Sequence, residues 1–104
     1  MAEHILGSTT RPYNGLTFAE ACERIAGVGY TDVAAFAHNG VMPVDSRSTN
    51  AQVTEARDAA SRAGIRPSMV LGRTHLEMGL PDATDDYRRL IDNCASLGAS
   101  WVLE

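Results

Sequence analysis

Two polar segments of the sequence contain side chains suited to binding or proton transfer. His38 and Asn39 lie in the first segment, and Arg73 and His75 lie in the second. A neutral imidazole can bond a hydroxyl or relay a proton. A guanidinium suits a phosphate or carboxylate because it offers paired hydrogen bonds. We therefore predict substrate binding at these residues, with loop capping as the alternative for the first segment and a solvated loop for the second.

Two further positions are candidates. Thr9 lies in a Ser-Thr-Thr-Arg run after the first predicted strand, where it would bond hydroxyl groups of a substrate or serve as part of a turn. Glu104 falls at the end of the last predicted strand, where its carboxylate would contact a metal or substrate. The alternative is that Glu104 is a frayed terminal residue without a role. A metal shared by His38 and His75 requires adjacent strands to bring them together, because their spacing has no metal signature.

A repeated helix-to-strand connection indicates the elements that must position these side chains. Gly29, Gly64 and Gly98 each follow a helical pattern and precede a short apolar run. A glycine in the left-handed conformation commonly ends a helix in this way. The pattern predicts three helices, each leading into a strand.

The predicted helices have recognisable starts. Thr17 with Glu20 forms a capping box for the first, and Thr49 or Asn50 with Gln52 does so for the second. The third helix is predicted from about Thr84. The residues predicted to be buried on the three helices are Phe18, Ala21, Cys22, Ile25 and Ala26; Val53, Ala56, Ala60 and Ala63; and Tyr87, Leu90, Ile91, Cys94 and Ala95.

The predicted strands are apolar runs at residues 5–7, 33–36, 69–71 and 101–103. They are apolar on both faces, which is typical of parallel strands covered on both sides. We therefore predict a single α/β domain over residues 1–104, a parallel (βα)3β4 portion of a TIM-type barrel. The strand-to-helix connections, notably 38–48 and 75–83, are long and polar, and active sites of such folds lie at that end.

Composition excludes several classes of function. The chain has 9 Lys and Arg against 13 Asp and Glu, a net charge of -4, which does not favour nucleic acid as a partner. No apolar stretch or leader pattern predicts membrane insertion or secretion. Cys22 and Cys94 fall on apolar helix faces and are predicted to be free thiols, which favours a cytoplasmic location.

The segment Thr17–Phe36, with its run Ala26–Val33 (AGVGYTDV), resembles the sugar phosphate isomerase/epimerase family of xylose isomerase-like TIM barrels. The resemblance implies a sugar or sugar-phosphate substrate. It also implies a divalent metal, Mn, Mg or Zn, held by Glu, Asp and His side chains of later strands. No position here matches those later motifs. Ala34-Ala35-Phe36 stands where members often carry an acidic residue.

The first functional hypothesis is a sugar or sugar-phosphate isomerase or epimerase. This chain would supply only the substrate rim and would be inactive alone. The alternative is a non-catalytic self-assembling half-barrel, a homodimer that closes a barrel, or another interaction module, because four strands leave an edge and an apolar face without partners. A small flavodoxin-like sheet and an endonuclease IV-like nuclease are the remaining hypotheses.

Overall fold

The computed structural model describes residues 7–72 and 79–103. These residues form four strands and three α-helices in strict alternation, with a short 3-10 helix at Arg11–Tyr13 after the first strand. The strands are β1 (Gly7–Thr9), β2 (Asp32–Ala35), β3 (Arg66–Leu71) and β4 (Trp101–Leu103), and the α-helices are α1 (Phe18–Val28), α2 (Asn50–Ala63) and α3 (Leu80–Leu97).

All described strands are parallel and pair in the order β1-β2-β3-β4. Each strand therefore lies beside the next one along the chain, and the predicted parallel α/β architecture is confirmed at this level. In a flavodoxin-like sheet the first strand lies between the second and the third. The observed order differs from that arrangement.

Both predicted capping boxes are present. The Thr17 hydroxyl accepts the Glu20 N–H at 3.2 Å, and the Glu20 carboxylate accepts the Thr17 N–H at 3.2 Å. Thr49 and Gln52 repeat this arrangement at the start of α2. The prediction was wrong for α3, which begins at Leu80 rather than near Thr84. Pro81 lies in its first turn, where the missing N–H has no partner to lose.

The helix ends agree with the prediction. Gly29, Gly64 and Gly98 have φ values of 109°, 76° and 101°, the left-handed conformation in which a Cβ is disfavoured. Each glycine N–H reaches back to a carbonyl of the last helical turn. The chain is thereby turned from each helix towards the following strand.

The core lies between the helices and one face of the sheet. Val33, Ala35 and Val70 are at most 1% exposed and belong to this core. The predicted stripe of α3 needs correction, because Ile91 is 45% exposed and Ala95 is also exposed. The residues of α3 that are buried are Ala83, Asp86, Leu90, Cys94 and Leu97.

The opposite face of the sheet is apolar and partly open. Ala34, Met69 and Trp101 lie in register on this face, alternating with the core residues. Trp101 is 65% exposed. The three described helices all contribute to the core on the other side. The expectation of strands covered on both faces therefore holds for one face only within the part of the chain that the structure describes.

An ion pair between the buried Asp32 and the exposed Arg66 joins the amino ends of β2 and β3. Asp32 is 3% exposed, and its Oδ1 accepts hydrogen bonds from the Thr31 hydroxyl at 2.6 Å and the Arg66 guanidinium at 3.2 Å. Burial raises the pKa of Asp32, but hydrogen bonds from Thr31, Ser68 and Arg66, with the Arg66 charge, outweigh it and lower the pKa overall. This pair lies at the end of the sheet opposite the strand-to-helix loops.

Candidate functional site

The loops that follow β1 and β2 are joined by Thr10, which is fully buried. Its N–H donates to the Ala34 carbonyl at 3.0 Å, and its hydroxyl accepts the Phe36 N–H at 2.9 Å. Thr10 thus continues the pairing of β1 with β2 beyond the ends of the strands. Both loops leave the carboxyl edge of the sheet from a fixed position.

His38 is the most constrained of the predicted site residues. Its Nδ1 lies 2.9 Å from the Leu16 carbonyl oxygen and 3.2 Å from that of Tyr13. Because carbonyl oxygens only accept, Nδ1 carries the proton that is donated in these contacts. Nε2 is buried and has no hydrogen-bond partner among the described residues. The ring also meets Phe18 edge to face, with centroids 5.8 Å apart.

Asn39 occupies a tight turn. Asn39 and Gly40 both have positive φ, 53° and 80°, while His38 and Val41 exchange backbone hydrogen bonds of 2.8 and 3.0 Å. These features define a hairpin turn that Asn-Gly sequences favour. The Asn39 N–H donates to the Asn14 carbonyl at 2.7 Å. The structure therefore gives His38 and Asn39 loop-fixing contacts, and their role in binding substrate stays a prediction.

Thr9 is the last residue of β1, rather than part of the loop after it as predicted. The strand extends further because Thr9 pairs with Ala34 of β2. The Thr9 hydroxyl accepts the Arg11 N–H at 3.1 Å, which is turn chemistry. The Arg11 guanidinium lies 5.6 Å from the centre of the Phe36 ring, a cation–π contact at the same edge of the sheet.

The remaining candidates lie outside the described residues. Arg73 and His75 of the β3-to-α3 connection and Glu104 are in this group, so a metal shared by His38 and His75 is still only a prediction. Within residues 7–72 and 79–103, no group of three or more His, Cys, Asp and Glu side chains is placed to hold a metal ion. These residues by themselves do not fit a divalent metal, and we derive no chemistry from one.

The sequence did not predict a polar cluster that fixes the loop between β2 and α2. The Ser46 hydroxyl donates to Asp86 Oδ1 at 2.7 Å, and both residues are buried. The Asn93 amide donates to the carbonyls of Asp45 at 2.8 Å and Ser48 at 3.3 Å. The spacing of Asp86 could have indicated its burial, since it lies one helical turn before Leu90 on the buried stripe of α3.

A cleft of about 420 Å³ lies between α1 and α2, beneath this loop. Neither His38 nor Thr9 lines it. The side chains around it are Thr17, Phe18 and Ala19 of α1 and its cap, Val41, Met42, Pro43, Asp45, Arg47 and Ser48 of the loop, and Gln52, Glu55, Ala56, Ala59 and Arg62 of α2.

The two cysteines are buried free thiols, as predicted. Burial raises the pKa of Cys22 to about 12, with a smaller contribution from the Glu23 charge, and raises the pKa of Cys94 to about 11. Thiols with such pKa values are protonated at neutral pH and are poor nucleophiles. They serve as small core side chains.

Comparison with protein-family models and with curated protein sequences finds no match. Among the described residues, no helix combines the length and apolar character needed to cross a membrane.

Proposed function

We propose that this chain forms part of a TIM-type barrel that acts as a sugar or sugar-phosphate isomerase or epimerase, and that it supplies one half of the substrate rim. The observation that supports this is the open sheet face. Ala34, Met69 and Trp101 align across β2, β3 and β4, opposite the helix-covered face. In a closed barrel, residues at such positions fill the interior in layers.

The strand order supports the same proposal. A TIM barrel is built by placing each strand beside the preceding one, with the helices on the outside. The order β1-β2-β3-β4 and the helix contacts α1 to α2 and α2 to α3 agree with that plan. Later β/α units would then cover Trp101, which is otherwise an unfavourably exposed aromatic side chain. The two buried thiols suit the cytoplasmic location that we propose.

The proposed substrate rim consists of Thr9, His38 and Asn39, with Arg73 and His75. Hydroxyl and amide groups suit sugar hydroxyls, and the guanidinium suits a phosphate group. The divalent metal of such enzymes would depend on residues beyond those described here. The role of this half in catalysis is therefore to bind and orient the substrate.

Titration of the isotopically labelled chain with ribose 5-phosphate and with ribose, followed by amide NMR shifts, tests the rim. We expect shifts at Thr9 and Asn39 with both sugars, and tighter binding of the phosphate that Arg73→Gln reduces to the level of ribose. Arg57→Gln, on the exposed face of α2, is the matched control. Absence of shifts at the rim, or equal effects of the two arginine variants, contradicts the proposal.

A second candidate function, self-assembly, is favoured by the two open edges of the described sheet. If a twofold axis runs along the barrel, β4 of one copy lies parallel to β1 of the other, and the same contact recurs on the far side. Light scattering during size-exclusion chromatography should then give twice the chain mass of 11.1 kDa. A monomer at all concentrations contradicts this candidate.

A further inference from the structure

We propose that the cleft between α1 and α2 binds a small amphipathic anion, a molecule with an apolar body and one anionic group. Its volume of about 420 Å³ lies within the range of roughly 300–1,000 Å³ usual for ligand pockets. The rim residues Thr9, His38 and Asn39 do not line it. The cleft therefore has a lining of its own, although Phe18 in its floor packs against the His38 ring. The proposal for the cleft does not depend on the proposed sugar function.

The floor of the cleft is apolar. Phe18, Ala56 and Ala59 line it and are 8%, 6% and 7% exposed. Met42 and Pro43 of the overlying loop are partly buried and complete the apolar wall. The small side chains of Ala56 and Ala59 on one stripe of α2 leave the space that an apolar ligand body would fill.

The loop over the cleft is fixed before any ligand binds. Val44 is fully buried in the core. The Ser46 hydroxyl is held by Asp86 at 2.7 Å, and Asn93 holds the carbonyl of Asp45 at 2.8 Å. Because α3 anchors the loop at these points, a ligand has little loop ordering to overcome, which favours binding.

Arg47 is the cation that an anionic group would meet at the loop end of the cleft, whose lining as a whole has two arginines and two carboxylates. Arg47 lies beside the amino end of α2, where the helix dipole is positive, and makes no ion pair with any described residue. Asp45 also lies at this end and keeps its negative charge, but its Oδ1 accepts the Arg47 N–H and the Ser48 hydroxyl, which partly offset that charge. Arg62 lies in the last turn of α2, where its charge offsets the negative end of the dipole.

Glu55 allows a direct test of the charge that the proposed ligand carries. Glu55 lines the cleft, and its negative charge opposes a bound anion. Replacing it by glutamine should therefore strengthen binding. Asp58 lies on the same helix, is exposed and does not line the cleft, so Asp58→Asn changes the net charge equally without touching the site.

The test uses decanoate as the probe and 1-decanol as its uncharged counterpart, each titrated into the labelled full chain and followed by amide NMR shifts. We expect decanoate to shift Phe18, Met42 and Ala59 and to bind more tightly than decanol. Arg47→Gln should weaken decanoate about fivefold, the effect of an exposed ion pair. Arg57→Gln, away from the cleft, should change the affinity less than about twofold.

Several results would overturn the proposal. These are equal effects of Arg47→Gln and Arg57→Gln, equal gains from Glu55→Gln and Asp58→Asn, equal affinities for decanoate and decanol, and shifts confined to the open sheet face. Ala59→Leu fills the cleft and should abolish binding, with circular dichroism as the check on folding. If that variant unfolds, the comparison of Arg47→Gln with Arg57→Gln still tests the proposal.

Discussion

His38 Nδ1 lies 2.9 Å from the carbonyl oxygen of Leu16, and this contact joins the loop after β2 to the loop before α1. Asn39 adds a second link through its N–H to Asn14 at 2.7 Å. Two strand-to-helix loops that are distant in the sequence thus form one unit at the carboxyl edge of the sheet. His38, which was predicted to bind substrate, therefore connects these two loops.

Replacement of His38 by phenylalanine keeps an aromatic ring against Phe18 but removes the donor to Leu16 and Tyr13. The partly buried Leu16 carbonyl loses this donor, whereas the Tyr13 carbonyl keeps the Leu16 N–H at 2.9 Å. We therefore expect the free energy of unfolding to fall by about 1–3 kcal/mol. Urea denaturation measures it. Thr54→Ala, at an exposed position of α2, is the control and should change stability by less than about 0.5 kcal/mol. Equal stability of the two variants would show that the contact with Leu16 contributes nothing.

The Asp32–Arg66 pair predicts a pH dependence of stability. Because the pKa of Asp32 is lowered in the folded chain, its contribution is fully present above the unfolded pKa of about 4 and is lost as pH falls through the folded pKa. Asp32→Asn should lower the unfolding free energy by about 1–2 kcal/mol at pH 7, with a smaller difference near pH 3. Asp85→Asn removes an exposed pair with Arg89 and is the control. A deficit in Asp32→Asn that is constant with pH contradicts this account.

The helix ends predict opposite effects for two glycines. Gly64→Ala places a Cβ at φ 76°, and we expect a loss of about 1 kcal/mol. Gly27 lies inside α1 without a positive φ, and a Cβ added there would approach no atom of another element within 4 Å. Gly27→Ala should therefore gain about 0.5–1 kcal/mol. Thermal or urea unfolding of both variants checks the prediction. A change of the same sign in both would mean that backbone conformation does not determine the effect.

Local chemistry explains which parts of the fold could be predicted. The Thr17 cap and the Gly98 helix end depend on residues close in the sequence, and both were predicted correctly. The face of α3 was predicted only in part, since Leu90 and Cys94 are buried but Ile91 and Ala95 are exposed. The buried Asp86 was missed, and it accepts a hydrogen bond from Ser46, forty residues away. A carboxylate on an apolar stripe is expected to face solvent unless its partner is known.

The candidate site was likewise predictable only where it depends on residues close in the sequence. His38 was predicted to bind substrate from its type and its position after a strand, and this role stays a prediction. Its contacts with Tyr13 and Leu16 depend on how two loops meet, which no spacing in the sequence encodes. The cleft under Val41–Ser48 was missed for the same reason, since helix α1, helix α2 and a loop each contribute only part of its lining.

Trp101 gives the most direct test of the open sheet face, because it is the single tryptophan of the chain and is 65% exposed. If the face is covered by another copy, its fluorescence should shift to shorter wavelength as protein concentration rises, and Trp101→Lys should remain monomeric by light scattering. Leu80→Lys is the matched control, since Leu80 is 75% exposed but lies at the start of α3. Loss of association in both variants would indicate non-specific hydrophobic association. Loss in Trp101→Lys alone assigns the contact to the open face, because a lysine charge buried there has no partner.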